Sequence, residues 1–161
     1  AVIEFIRGTP LLIQVYLIYY VLPNYGVSMT AMQVGILGIG LHYACYIAEV
    51  YRGGLDAVPR AQWEAVTALN IAPYSAYRNI ILPQARRTTL PALGNQSIAI
   101  IKNTSVLAMI AGGDLMYTAD SWAGSNMYYG PAYALTGLVY WLLCFPLTTY
   151  VERLEKKGQV S

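Results

Sequence analysis

Charge is scarce in this sequence. Charged side chains make up 11% of its 161 residues, against 57% hydrophobic ones. A soluble domain carries about 25% charged residues. A deficit of that size leaves too little charge to cover a water-facing surface. No Asp, Glu, Lys or Arg falls between Gly8 and Ala48, and no Lys or Arg between Asn103 and Val151. The net charge of +2 is too small to suggest a nucleic-acid partner, and none is expected.

Other absences narrow the chemistry. Cys45 and Cys144 fall in apolar runs and form no C-x-x-C, so they read as small buried thiols. His42 is the only histidine. No metal-ligand cluster or nucleophile–base pair is recognisable, so no catalytic residue and no metal site is expected. The chain has no G-x-x-x-x-G-K-[ST], hence no phosphate-cradling loop and no ATP site of its own. It shows no repeat and no low-complexity tract. Ala1 is neither an initiator Met nor part of a charged leader, which reads as a truncated start.

What is present is apolar and long. Four segments stand out: about Leu11–Leu22 with an apolar lead-in over Val2–Ile6, then Ala31–Val50, Leu93–Leu115 and Ala132–Val151. Crossing the hydrocarbon core takes roughly 20 helical residues. The last three reach that length; the first does so only if it starts near Ile3. Backbone in lipid must satisfy its own hydrogen bonds, and the runs lack barrel-strand alternation, so helices are expected. Gly35, Gly38 and Gly40 either allow close helix approach or reflect the ordinary abundance of Gly in membrane helices.

Basic residues orient the spans. Arg52, Arg60, Arg78, Arg86 and Arg87 lie in the Tyr51–Pro91 stretch, Arg153, Lys156 and Lys157 in the tail, and Arg7 at the start. The intervening loops at Asn24–Thr30 and about Met116–Pro131 carry no base. The excess of bases on cytoplasmic loops then places Arg7, the 51–91 loop and the C-terminus inside. The stretch Thr118–Pro131 is either a substrate-facing lid or a solvated outer connector anchored by interfacial Trp and Tyr.

The 51–91 loop carries helical patterning. Pro59 can open a helix. Arg60 and Glu64 stand four apart, and Trp63, Val66 and Leu69 recur on another face. Pro73 is expected to close this helix. A second short helix is expected over Tyr74–Leu82, followed by Pro83 and Pro91 as punctuation. An amphipathic helix outside the membrane either lies on lipid or docks into a partner's groove. The loop contains no Lys, which weakens the lipid reading.

Two charges fall within spans. Lys102 lies about 13 Å along a helix that starts at Leu93, at 1.5 Å per residue. A charge at that depth costs about 2.5–3.5 kcal/mol on insertion scales, and such residues face cavities or partners. Asn103, Thr104 and Ser105 extend the polar patch. The patch is either a pathway able to hydrogen-bond a carboxylate or ammonium, or a structural cluster with a snorkelling Lys. Glu49 either faces the same path or pairs with Arg52. His42, Tyr43 and Tyr46 sit mid-span and either line a path or bind a neighbouring helix.

Glu64-Ala65-Val66, then Asn70, then Leu82-Pro83 resembles the EAA loop of ABC importer permeases, with Val66 in place of the second Ala and Asn70 in place of the Gly. Asn is the non-Gly residue best able to take positive φ. Arg7-Gly8-Thr9-Pro10-Leu11-Leu12, Tyr46-Ile47-Ala48-Glu49-Val50-Tyr51-Arg52-Gly53-Gly54, Pro91-Ala92-Leu93-Gly94-Asn95 and Lys102-Asn103-Thr104-Ser105 are similar to signatures of the polar amino acid uptake branch.

The resemblance covers nearly the whole chain. It implies an all-α transmembrane fold: a type I ABC importer permease (MetI-like) helical bundle, about four spans present with the first family helix missing, as one domain over residues 1–161. It implies a multi-pass protein of the bacterial cytoplasmic membrane. Partners would be ABC ATPase subunits holding ATP and Mg, a second permease subunit (homo- or heterodimer) and an extracytoplasmic solute-binding protein. This chain would hold no cofactor and would be no enzyme. Trp63, Glu64, Ala65, Val66, Asn70, Leu82 and Pro83 would couple to the ATPase. His42, Tyr43, Tyr46, Glu49, Lys102, Asn103, Thr104 and Ser105 would line the substrate pathway. The substrate would be a polar amino acid or related zwitterion, ectoine-type solutes included. The alternative is a subunit of an ion-gradient-driven secondary transporter, a class with internal repeats and broken helices. Neither feature is evident in the sequence.

Overall fold

The computed structural model describes residues 2–159, with side chains as far as Lys156; the Lys157 side chain of the basic tail lies outside the described residues. The elements are α1 (Val2–Gly8), α2 (Leu11–Tyr16, prolonged by a π-turn over Leu17–Val21 and a 3-10 turn over Leu22–Tyr25), α3 (Ala31–Asp56), α4 (Arg60–Ala68), α5 (Pro73–Ala76, joined through a π-turn over Tyr77–Ile81 to α6, Leu82–Asn103), a 3-10 helix (Thr104–Ile110), α7 (Leu115–Asn126) and α8 (Tyr129–Gln159). No strand occurs among the described residues, as the all-α expectation required. Helix α3 and residues Tyr129–Lys156 of α8 are each long and apolar enough to cross a membrane. Counting each of two bent helix pairs as one span brings the total to four.

The first bent pair corrects the sequence reading. Val2–Ile6 does not continue the first span as a straight helix, because α1 turns 104° away from Leu11–Tyr25. Pro10 lacks an N–H and biases Thr9 away from helical geometry. The carbonyls freed at the corner find side-chain donors: Thr9 Oγ1 donates to Phe5 O (3.1 Å), and Gln14 Nε2 donates to Ile6 O (2.7 Å) and Thr9 O (3.1 Å).

The second bent pair changes more. The segment after Pro73 is no separate short helix; it runs through α6 to Ile110 as one continuous arm. Pro83 and Pro91 sit inside that arm rather than punctuating it. The third span then breaks well before its expected end. Helix α6 stops at Asn103, the 3-10 turn follows, and Ala111 (φ 55°) and Gly113 (φ 68°) reverse the backbone into α7 at a 46° bend. The expected outer connector is mostly helix α7, capped by Asp114, whose Oδ1 accepts the Tyr117 N–H at 2.9 Å. Broken helices, absent from the sequence reading, are therefore present.

The bundle packs as membrane helices do, through shape and small residues rather than expulsion of water. Leu11, Val15, Val34, Ile39, Tyr43, Leu107 and Ile110 form the main core, with Val15 and Val34 fully buried. At Gly35 an added Cβ would strike the Leu107 side chain at 2.7 Å, whereas one on Gly40 would meet nothing within 4 Å. Close approach thus accounts for Gly35 and not for Gly40. On the other side Asn95 Nδ2 donates to Glu155 Oε1 (3.3 Å), tying α6 to α8.

Candidate functional site

Helix α4 forms as expected but ends for a different reason. Its C-cap is Leu69, and Asn70 takes φ 51°. Ile71 N–H donates to Val66 O (3.1 Å) and Asn70 N–H to Thr67 O (3.1 Å). That pair of bonds is a Schellman motif, whose left-handed position usually holds Gly. Pro73 opens the next helix instead of closing this one. Asn70→Gly is expected to preserve helix α4 and transport. Asn70→Val is expected to impair both, since a left-handed backbone costs a side-chain-bearing residue about 1–2 kcal/mol; uptake assays on the two variants check this.

The two faces of α4 differ. Trp63 turns inward, its ring 5.5 Å from that of Tyr77, and packs with Val58 and Ile81. Val66 is half-buried, while Glu64, Ala65, Ala68 and Leu69 are exposed, Leu69 at 72%. Arg60 and Glu64 form no ion pair among the described residues, so the expected pairing is absent and Glu64 stands free on the open face. Leu69 belongs to that face too. Its helical spacing was visible in the sequence, but its exposure was not. Leu82 and Pro83 are exposed within the continuous arm.

The residues expected to line a pathway divide into two groups. The first joins α1, α2 and α3. His42 is buried, and its Nδ1 lies 3.2 Å from Gln14 Oε1. Tyr43 is buried, and its hydroxyl accepts from Asn103 Nδ2. Tyr46 OH donates to Arg7 O (3.3 Å), and the Arg7 guanidinium sits 5.2 Å from the centre of the Tyr46 ring. Glu49 binds Arg7 (3.3 Å) and Arg52, and Arg52 also reaches Asp56 (3.2 Å). These contacts clamp the α1 corner to α3. Gln14, outside the expected site set, is the hub of the clamp. Gln14→Leu would leave Thr9 O and His42 without this partner, while Ile6 O keeps its bond from Thr9 Oγ1 (3.2 Å); each group left unsatisfied costs up to about 1–3 kcal/mol where it is buried. A lower melting temperature of the detergent-solubilised protein is the expected result.

The second group surrounds a cavity of about 380 Å³ lined by Lys102, Ser105, Met116, Tyr133, Thr136, Gly137 and Tyr140. Lys102 has no acidic partner among the described residues. Thr104 and Ser105 bond their own helix, to Ile101 O and Lys102 O at 2.8 Å each. Tyr140 lies about 16 Å of helix beyond Tyr129, near half the roughly 30 Å depth of a bilayer core. Thr104 and Asp114 are polar neighbours of its hydroxyl.

The Tyr140 hydroxyl and Asp114 Oδ2 are both out of contact with solvent, and they lie within interacting range of each other without a well-aligned hydrogen bond. Asp114, Tyr133 and Tyr140 are the residues that sequence reasoning missed here. An acid near the end of an apolar run was the available signal: Asp114 closes the Leu93–Leu115 stretch, and no role was assigned to it.

Comparison with known proteins follows the same lines. Residues 1–158 match the family described as "Binding-protein-dependent transport system inner membrane component". The probable glutamine ABC transporter permease protein GlnM of Bacillus subtilis is 38% identical over all of this chain and 74% of its own length. The probable amino-acid ABC transporter permease protein YckA of the same organism is 36% identical over 96% of this chain and 69% of its own length. A crystal structure of an amino acid ABC transporter with histidines superposes with a TM-score of 0.90 at 33% identity, covering 96% of this chain and 72% of that one. The inward-facing MetNI methionine ABC transporter shares the fold, with a TM-score of 0.79 at 18% identity, over 98% of this chain and 72% of that one. With its helical bundle, broken spans and open-faced α4, the chain belongs to the inner membrane component family of binding-protein-dependent transport systems, as an amino-acid ABC transporter permease subunit.

Proposed function

We propose that this permease carries polar amino acids, or related zwitterions such as ectoine-type solutes, inward across the bacterial cytoplasmic membrane, driven by ATP hydrolysis in a separate subunit. The observation that carries the reading is Lys102: an unpaired cation on a cavity wall shared with Ser105, Thr136 and two tyrosines. A carboxylate entering that cavity would gain a charge-assisted hydrogen bond, and hydroxyls would hold the rest of a polar substrate. His42, Tyr43, Tyr46 and Glu49 act beside this path, holding the α1 corner and the Tyr43–Asn103 contact behind Lys102.

Energy enters at α4. Its open face of Glu64, Ala65, Ala68 and Leu69 fits a cleft on an ATPase subunit, with ATP and Mg held there and not in this chain. Trp63 fastens α4 to the Tyr77–Ile81 turn, and that turn leads directly into the arm that carries Lys102. Movement of α4 is thereby delivered to the cavity. The working assembly has two permease subunits, two ATPase subunits and an external binding protein, with residues 51–91 and the C-terminus inside. Reconstitution with the ATPase and binding protein tests this: ATP-dependent uptake is expected. Uptake that ignores ATP but follows a proton or sodium gradient would overturn it.

A further inference from the structure

Helices α3 and α6 cross closely at Gly54, where an added Cβ would strike the Thr89 side chain. Beside that crossing runs a groove of about 310 Å³, lined by Tyr51 and Leu55 of α3 and by Leu82, Arg86, Leu90 and Leu93 of α6. The α6 residues recur every three or four positions, so they form one helical face about 16 Å long at 1.5 Å per residue. Arg86 is the only charged residue of the lining. Thr89 also lines the groove, but its hydroxyl donates to Ala85 O (2.8 Å). Tyr51, Leu82, Arg86 and Leu90 are exposed, so the groove is open. It lies where two apolar runs end on one side of the membrane: Tyr51 follows the Ala31–Val50 run, and Leu93 opens the Leu93–Leu115 run. Tyr and Arg suit headgroup depth, Tyr through its amphipathic ring and Arg through its apolar stem. Arg7 and Arg52 are neutralised by Glu49 and Asp56, whereas Arg86 and its neighbour Arg87 have no acidic partner among the described residues.

We propose that this groove binds an anionic phospholipid of the cytoplasmic leaflet, with the phosphate on Arg86 and one acyl chain along Leu90 and Leu93. The charge pattern selects this occupant. An unpaired cation at headgroup depth, beside an apolar face that leads toward the membrane core, complements a negative head and a hydrocarbon tail. Basic pockets between membrane helices on the cytoplasmic side hold such headgroups. The Arg86 guanidinium can donate two parallel hydrogen bonds to phosphate oxygens, and the Tyr51 hydroxyl can add one from α3. A lipid held there bridges α3 and the arm that joins α4 to Lys102. Placing the groove on the cytoplasmic side rests on the orientation proposed above; lipid binding itself requires neither that orientation nor uptake.

The test is lipid binding to the complete transporter in detergent, titrated with phosphatidylglycerol or phosphatidylcholine and read by native mass spectrometry. Phosphatidylglycerol is expected to bind more tightly, because the choline cation offsets the phosphate of the other lipid. Equal binding of the two overturns the proposal and needs no variant. Arg86→Gln is expected to weaken phosphatidylglycerol binding about tenfold, the scale of one hydrogen bond to a charged group, and Arg86→Lys to retain most of it. Arg60→Gln removes an exposed arginine outside the groove and is expected to change nothing; an equal loss there would mean diffuse surface charge and overturn the site. Glycerol 3-phosphate, a headgroup without chains, is expected not to displace the lipid. Displacement by it would make this a site for free phosphate and overturn the lipid. Release of the ATPase subunits by Arg86→Gln with unchanged lipid binding would give the groove to that partner instead. Selective phosphatidylglycerol binding without ATP-driven uptake would keep the site and remove the transport reading. Normal uptake without lipid selectivity would do the reverse.

Discussion

Glu64→Lys is expected to abolish ATP-driven uptake while leaving the membrane bundle folded. Glu64 lies on the exposed face of α4, with no ion pair to Arg60. Nothing in the permease itself therefore depends on its charge, and a surface substitution of this kind changes folding stability by about 0.5 kcal/mol or less. A docked ATPase subunit would sense the reversal strongly, because removing one partner of a buried charged contact costs about 2–5 kcal/mol, and reversing the sign adds repulsion. Two measurements check the outcome: co-purification of the ATPase with the variant, and uptake in proteoliposomes. Loss of both with an unchanged melting temperature is expected. Unchanged docking and uptake would remove Glu64 from the coupling surface. Leu69, the large apolar residue exposed on the same face, should reproduce the defect as Leu69→Asp.

Lys102→Met should impair uptake by at least tenfold with normal assembly of the complex. Met keeps the length and apolar stem of Lys, so the helix and its packing survive. What is lost is the single cation of the cavity wall. A hydrogen bond to a charged group contributes about 1.5–3 kcal/mol, and each 1.4 kcal/mol is a factor of ten in affinity. Lys102→Arg should retain part of the activity, since it preserves charge but changes shape. Rates of uptake against substrate concentration, together with size-exclusion profiles of the assembled complex, decide the matter. Uptake at the normal level in Lys102→Met would make Lys102 a structural residue. Those transport assays also separate this protein from ion-driven carriers. The broken spans alone do not, because the inward-facing methionine ABC transporter has the same fold.

The sequence failed in places where local rules were overruled by neighbours. Pro73 was read as a terminator because Pro cannot continue a helix. Asn70 had already ended α4, and Pro then served as the first residue of the next helix. Pro83 and Pro91 looked like punctuation, yet both lie within one arm packed against α3 and α8. Trp63 shared a helical face with Leu69, and periodicity could not tell that the first turns inward to Tyr77 while the second remains exposed. Val2–Ile6 extended an apolar run, but hydropathy carries no information on direction, and the chain turns at Thr9-Pro10.

The sequence by itself determined the solvent, the class and the family. Long uncharged runs separated by basic loops leave only a helical membrane bundle, because backbone in lipid has no other source of hydrogen bonds. The linked motifs from Arg7 to Ser105 were sufficient to indicate an ABC permease. Only the tertiary structure decided which partners each polar residue meets. His42, Tyr43 and Glu49 are bound into the clamp around Gln14 and Arg7, whereas Lys102 faces a cavity whose other walls come from Ser105, α7 and α8. Asp114, which falls at the end of the Leu93–Leu115 run, is set beside Tyr140 by a left-handed turn at Ala111. The physical reason is that a polar group in a membrane must find a partner, and which partner it finds depends on which helices meet. That meeting is fixed by packing between segments far apart in sequence, where no local pattern records it.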